Sequence, residues 1–214
     1  MNIFLSPSNQ TENIYGYGNT NESEQCGKIA EYLKAALIRC GFNVMLMHKE
    51  LMQEKVKAAN EWGADYYITI HSNAFNKEVS GTRMFFYTYG GKGHELCKNI
   101  AKYLFPLTPG TSENYQQNTT LYETKMPNAY TAYIEIEFHD VPPVAKWIIE
   151  NTSLIAEAIC KGICDQCGVN YKEPEPQKRK LYRIQIGAFE NKANAERLLN
   201  IVRNDFPSAF IKED

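Results

Sequence analysis

Short apolar runs alternate with helical patterns along this chain. Asn2 to Leu5 reads as a strand, followed by a loop rich in Ser, Pro, Asn, Thr and Gly. From Asn21 to Cys40 the positions Ile29, Leu33, Ala36, Leu37 and Cys40 recur at three- and four-residue steps. That spacing predicts a helix with one buried face, ended by Gly41. Phe42 to Met47 is the next strand and Leu51 to Trp62 the next helix, ended by Gly63. Tyr66 to His71 is almost continuously apolar, as a strand covered on both faces of a parallel sheet should be. Thr82 to Tyr87 (strand), Lys92 to Phe105 (helix), Thr131 to Phe138 (strand) and a closing helical region from Val144 to Cys167 complete the pattern. Strand–helix alternation of this kind predicts an α/β fold, a mostly parallel sheet flanked by helices.

Residues 171–181, YKEPEPQKRKL, break the pattern. Two prolines, charges of both signs and almost no apolar content mark a linker. The segment YRIQIGAFENKANAERLL then reads as a strand running into a helix, with a short apolar stretch near Ala209 to Ile211. The expected organisation is a domain over 1–170, a linker over 171–181 and a short C-terminal βα(β) appendage over 182–214. There is no internal repeat.

Composition changes this picture little. Hydrophobic residues at 43% and charged residues at 22% suit a globular protein with a real core. A net charge of -2 gives no electrostatic reason to expect nucleic acid or an anionic membrane surface. The apolar runs fall well short of the ~20 residues that span a bilayer. The opening MNIFLSPSNQ has no positively charged start, so no secretory signal is expected and synthesis is expected in the cytoplasm. Of the six cysteines, Cys160, Cys164 and Cys167 stand at i, i+4 and i+7 on one helix face. This reads as buried thiol packing in preference to a structural zinc site.

Ligands of open α/β sheets bind outside the carboxyl ends of the strands. The residues expected there are SPSNQTEN after the first strand, His71 with Ser72 and Asn73 after the third, and Glu135, Glu137, His139 and Asp140 at the last. Glu22 and Glu24 open the first helix at the same edge. A histidine and several carboxylates on one edge suit a hydrolase or a metal site. Each also has a plainer role: Asn21 with Glu24 resembles a capping box, and Glu22 favours the helix dipole. His71 could simply donate to a carbonyl. Glu135 is harder to explain away, because it interrupts an apolar strand where an unpartnered acid is costly. His48 and His94 read as solvated surface positions.

Four segments, in order, resemble the zinc-dependent N-acetylmuramoyl-L-alanine amidases of the amidase-3 type: NESEQCGKIAEYLKAALIRCG, WGADYYITIHSNA, GTRMFFY and KMPNAYTAYIEIEFHD. The resemblance covers residues 1–168. It implies a flavodoxin-like sheet and one zinc ion per chain, with Glu22 and His71 as metal ligands, Glu135 as catalytic acid/base and Asn73 as a substrate-orienting residue. The family usually carries a further zinc histidine in a DPGHGG-like loop after the first strand, where this chain reads SPSNQT. His139, Gln10, Asn9 or water are then the candidates for the third ligand. Residues 182–199 resemble the beginning of a SPOR domain, a small peptidoglycan-binding module.

The resemblance implies a monomeric catalytic domain that acts on bacterial peptidoglycan and cuts the amide between the lactyl group of N-acetylmuramic acid and L-alanine of the stem peptide. Release to the wall would follow phage-type lysis or mother-cell lysis. Two other readings compete. One is a metal-free wall-binding module on the same fold, which stoichiometric zinc would rule out. The other is a nucleotide or cofactor binder, which would need a Gly-rich phosphate cradle that SPSNQT does not supply.

Overall fold

The computed structural model describes residues 1–175 and 184–212. Internal contacts divide it into a unit Met1–Pro174 and a unit Glu175–Asp214. In the first unit, β1 (Asn2–Pro7), β2 (Asn43–Leu46), β3 (Tyr66–Asn73), β4 (Arg83–Phe86), β5 (Asn114–Gln117) and β6 (Tyr130–Phe138) form one sheet in the order β2-β1-β3-β6-β4-β5. The helices are α1 (Glu22–Arg39), α2 (Met52–Trp62), α3 (Lys92–Leu104), α4 (Tyr122–Lys125), α5 (Pro142–Glu150) and α6 (Thr152–Cys167).

The sheet is mostly parallel, as the alternation predicted, and β2-β1-β3 follows the flavodoxin-like order. One pair departs from it: β4 runs antiparallel to β6, with β5 parallel to β4 at the rim. The cause is the connection 74–82, which holds no helix and is too short to carry the chain back along the sheet. β5 and α4 lie in a polar stretch with no apolar period and were not anticipated. The closing helical region is two helices, broken at Asn151, whose side-chain amide donates to the Trp147 carbonyl at 2.8 Å.

Alternation along the strands decides what each face buries. Ile3, Leu5, Ile68 and Ile70 point into a large core shared with α1, α3 and α6. Phe4 and Tyr67, one residue out of phase, stack at 5.0 Å on the other face with Val56 and Ala59 of α2. On the thick side α3 and α6 approach so closely that a Cβ on Gly162 would lie 2.4 Å from Ile100 Cα.

In the second unit a helix, α7 (Lys192–Val202), is capped by Asn191, which accepts from Ala193 N at 2.9 Å. The strand expected before it is not formed over residues 184–189, and residues 176–183 lie outside the described part. An isolated strand has no ladder partner here, and propensity alone cannot hold it extended.

Candidate functional site

The carboxyl ends of β1, β3 and β6 gather the polar residues that an apolar sheet cannot keep inside. Asn21 accepts from Glu24 N at 2.9 Å and starts α1 at this edge, which puts Glu22 in the first turn with 1% of its surface exposed. Glu22 Oε1 lies 2.8 Å from His71 Nδ1, and its Oε2 accepts from Asn13 Nδ2 at 2.6 Å. Burial pushes the Glu22 carboxyl up, but the hydrogen bond and charge of His71, with further bonds from Asn13 and Ser8, outweigh it and leave the group below its ordinary value. His71 shows the converse. Burial lowers it, yet the bond to Glu22 and the charges of Glu135 and Glu22 hold it above the ordinary histidine range. The two partners agree, and together they describe an ion pair.

Glu135 stands opposite His71 in the β3–β6 register. Burial is the main reason its carboxyl is pushed up to about 7, helped by Glu22, with only the charge of His71 opposing. Among the described residues no hydrogen bond stabilises its anion. Tyr133, two residues earlier, stacks on the His71 ring at 5.0 Å. A half-buried acid poised near neutrality beside an imidazole–carboxylate pair is the arrangement that proton transfer needs.

In a regular strand Glu137 would share the face of Glu135. A bulge prevents it: β3 covers 71–73 while β6 covers 135–138, and Glu137 takes a φ of +56°. Its carboxylate instead accepts from Gly81 N at 2.7 Å and Gly110 N at 2.8 Å. A Cβ on Gly110 would lie 2.3 Å from Gly81 N, so this crossing of two loops tolerates no side chain there. Asp140 organises the neighbouring loop, accepting from Phe75 N at 3.0 Å and Lys77 N at 2.9 Å.

Glu22, His71 and Glu135 are thus brought together, and Asn73 lies at the bulge with its Oδ1 on Ala74 N at 2.8 Å. The candidates for a third metal ligand each make a hydrogen bond, Gln10 through the oxygen that would ligate and Asn9 and His139 through their other atoms. Asn9 donates to Glu50 O at 3.0 Å, and Gln10 Oε1 accepts from Asn13 at 2.7 Å. His139, only 2% exposed, has Nδ1 2.9 Å from Ser72 Oγ and its ring stacked on Tyr15 at 4.8 Å. Burial holds His139 below the ordinary histidine range. His48 and His94 are not the solvated residues expected. His48 Nε2 is 2.9 Å from Ser23 O, and His94 packs against Phe86 at 4.4 Å and Tyr89 at 4.8 Å.

Sequence reasoning missed a buried polar layer beside the site. Lys55, 3% exposed, donates to Pro7 O at 2.7 Å, while Ser6 and Tyr67 both donate to Glu123 Oε1. Lys55 looks like any surface helix lysine in the sequence, and Glu123 sits in the polar stretch between the Lys92–Phe105 helix and the Thr131–Phe138 strand, to which no element was assigned. Nothing local marks either one.

A profile of the N-acetylmuramoyl-L-alanine amidase family matches residues 9–165. The chain belongs to this family. A SPOR-domain profile matches residues 177–214. Among curated relatives, the chain is 26% identical over 185 residues to a sporulation-specific N-acetylmuramoyl-L-alanine amidase of Bacillus subtilis (strain 168), covering 76% of this chain and 63% of that one. It is 29% identical over 157 residues to the N-acetylmuramoyl-L-alanine amidase CwlM of Bacillus licheniformis, covering 69% and 56%. The chain therefore spans less than two thirds of the length of these relatives. The amidase AmiC2 of Nostoc punctiforme superposes with a TM-score of 0.70 at 17% identity, over 78% of this chain and 97% of that one, a likeness of fold.

Proposed function

We propose that this amidase-family chain hydrolyses bacterial peptidoglycan at the amide between the lactyl group of N-acetylmuramic acid and the L-alanine of the stem peptide. The observation that carries the reading is the Glu22–His71 contact of 2.8 Å with Glu135 facing it across the β3–β6 register. The family match and the polar edge of the sheet support it.

The donor chemistry fits a divalent cation, zinc by the resemblance, through two protein ligands. Glu22 Oε1 and His71 Nδ1 converge, and the second buried carboxylate, Glu135, leaves the pocket short of positive charge. The further histidine of the usual set has no counterpart in the loop after β1, which reads SPSNQT. Among the described residues, the one trio of His, Cys, Asp or Glu whose ligand atoms lie within 4.8 Å of one another is a cysteine cluster of the core. No third His, Cys, Asp or Glu ligand atom clusters with the pair among the described residues, so water is the simplest completion. Zinc bound at this pair supplies a lowered pKa for water and a polarised scissile carbonyl.

The protein's own steps centre on Glu135. Its carboxylate takes the proton from the attacking water and returns it to the leaving amine nitrogen of L-alanine. Asn13, held by Gln10, keeps Glu22 aimed at His71, and Tyr133 fixes the imidazole plane. Asn73, with its Oδ1 on Ala74 N, has its amide hydrogens to offer the substrate. The SPOR-matching segment would hold the enzyme on glycan, and the catalytic unit would act as a monomer. Of the two release routes, mother-cell lysis suits the sporulation-specific relative better.

Metal content and wall lysis before and after chelation test the proposal together. One zinc per chain, with lysis lost on chelation and restored by zinc, is expected. No zinc and no lysis, with wall binding retained, would replace the enzyme by the metal-free binding module.

A further inference from the structure

The five buried cysteines of the six are used here in two ways. Cys26 and Cys97 are fully buried in the main core, and neither joins a cluster of three ligand atoms. There a thiol serves as a small apolar group. Cys40, Cys160 and Cys164 instead meet at one point. Cys40 caps the C-terminal end of α1, and Cys160 and Cys164 stand one turn apart on α6. Their three Sγ atoms lie within 4.8 Å of one another, with Cys40 and Cys160 at 3.9 Å. Exposures are 5%, 0% and 1%. The sequence pattern pointed to Cys167 as the third member, but the contact between α1 and α6 brings in Cys40 from 120 residues away.

We infer that Cys40, Cys160 and Cys164 form a binding site for a soft monovalent cation of the Cu+ class, distinct from the Glu22–His71 pair. Thiolate sulfur selects soft ions, chiefly Cu+ and Zn2+. Zinc on three protein ligands takes water as its fourth, and closed zinc sites have four protein ligands. This cluster lies inside the apolar core and no fourth His, Cys, Asp or Glu joins it among the described residues, so a three-coordinate ion fits better. Burial pushes the Cys160 and Cys164 thiols up, so the ion must displace their protons to bind. One donor already reaches the sulfurs: Lys172 N–H donates to Cys40 Sγ at 3.4 Å. Binding displaces thiol protons to solvent, while copper stays Cu+ and the sulfurs stay at thiolate level, so no oxidant is required.

Anaerobic titration of the full chain with Cu+, supplied as its acetonitrile complex, tests this. The expected result is a thiolate-to-copper charge-transfer band that saturates at one equivalent and is lost in Cys160→Ser. The Glu22–His71 pair has no thiolate and cannot give that band. A second measurement does not depend on the variant folding: alkylation of wild-type thiols in partial denaturant, mapped by peptide mass. Cu+ should protect Cys40, Cys160 and Cys164 and leave Cys26 and Cys97 labelled as in the metal-free protein. Absence of the band, its survival in a folded Cys160→Ser, or protection of other thiols would overturn the site. Equal protection by Zn2+ would overturn its assignment to a monovalent ion.

Discussion

Glu135 carries a cost that the rest of its strand does not. Its neighbours Ile134 and Ile136 are fully buried, and burial pushes its carboxyl from 4.5 to about 7. Replacing it with Gln keeps the shape and removes the proton carrier. Wall lysis by Glu135→Gln should fall by about 100-fold or more, with the circular dichroism spectrum unchanged; wild-type clearing would refute its role. The same residue sets a pH dependence. An acid held above its unfolded value stabilises the fold at low pH, and that stability is lost as pH rises through the folded value. Metal-free wild type should therefore lose stability relative to Glu135→Gln between pH 4.5 and about 7, by on the order of 1–3 kcal/mol in all. Urea midpoints at pH 5 and pH 8 in chelator measure the difference, and parallel behaviour of the two proteins would contradict it. His71→Ala should lose both the metal and the lysis, since it breaks the buried pair and leaves Glu22 without its cation.

At the scale of elements, the bulge in β6 separates two acids that the sequence places as a matched pair. Glu135 stays with His71, and Glu137 secures the loops at Gly81 and Gly110. Glu137→Ala strands two backbone donors in a buried place and should cost about 2–4 kcal/mol, read as a lowered urea midpoint at pH 7. Gly110→Ala should be similarly damaging through the clash with Gly81. Elements of this kind mark the limit of what the sequence discloses. The helices and parallel strands were legible because apolar period and caps are local: Asn21 before Glu22 and Gly63 after Trp62 are readable one turn at a time. The convergence of Glu22, His71 and Glu135 was legible because strand ends share an edge. The reversal of β4, the strand β5, the sharing of Glu123 by Ser6 and Tyr67, and the meeting of Cys40 with α6 depend on pairings distant in sequence. No window along the chain contains them.

For the molecule as a whole, the chain divides into two units after Pro174. Tyr171 donates to Glu157 at 2.6 Å and Lys172 O accepts from Arg39 at 2.8 Å, so the start of the charged stretch belongs to the first unit. Residues 1–174 alone should keep activity on soluble wall fragments, while binding to denuded glycan should weaken about tenfold or more as the second attachment is lost. Pull-down with insoluble glycan measures this, and equal binding would remove the tail from the account. No helix of the described residues is long and apolar enough to cross a membrane. β5 adds one more property. Its four residues, Asn114, Tyr115, Gln116 and Gln117, are all exposed, and they contribute almost nothing to the core. They instead cover the flank of β4 with polar side chains, giving the sheet a wet margin that is a poor template for a neighbouring molecule's strand. On the proposed function the chain would be held at high local concentration on an insoluble polymer, and such a margin would keep sheets of different copies from zipping into aggregates.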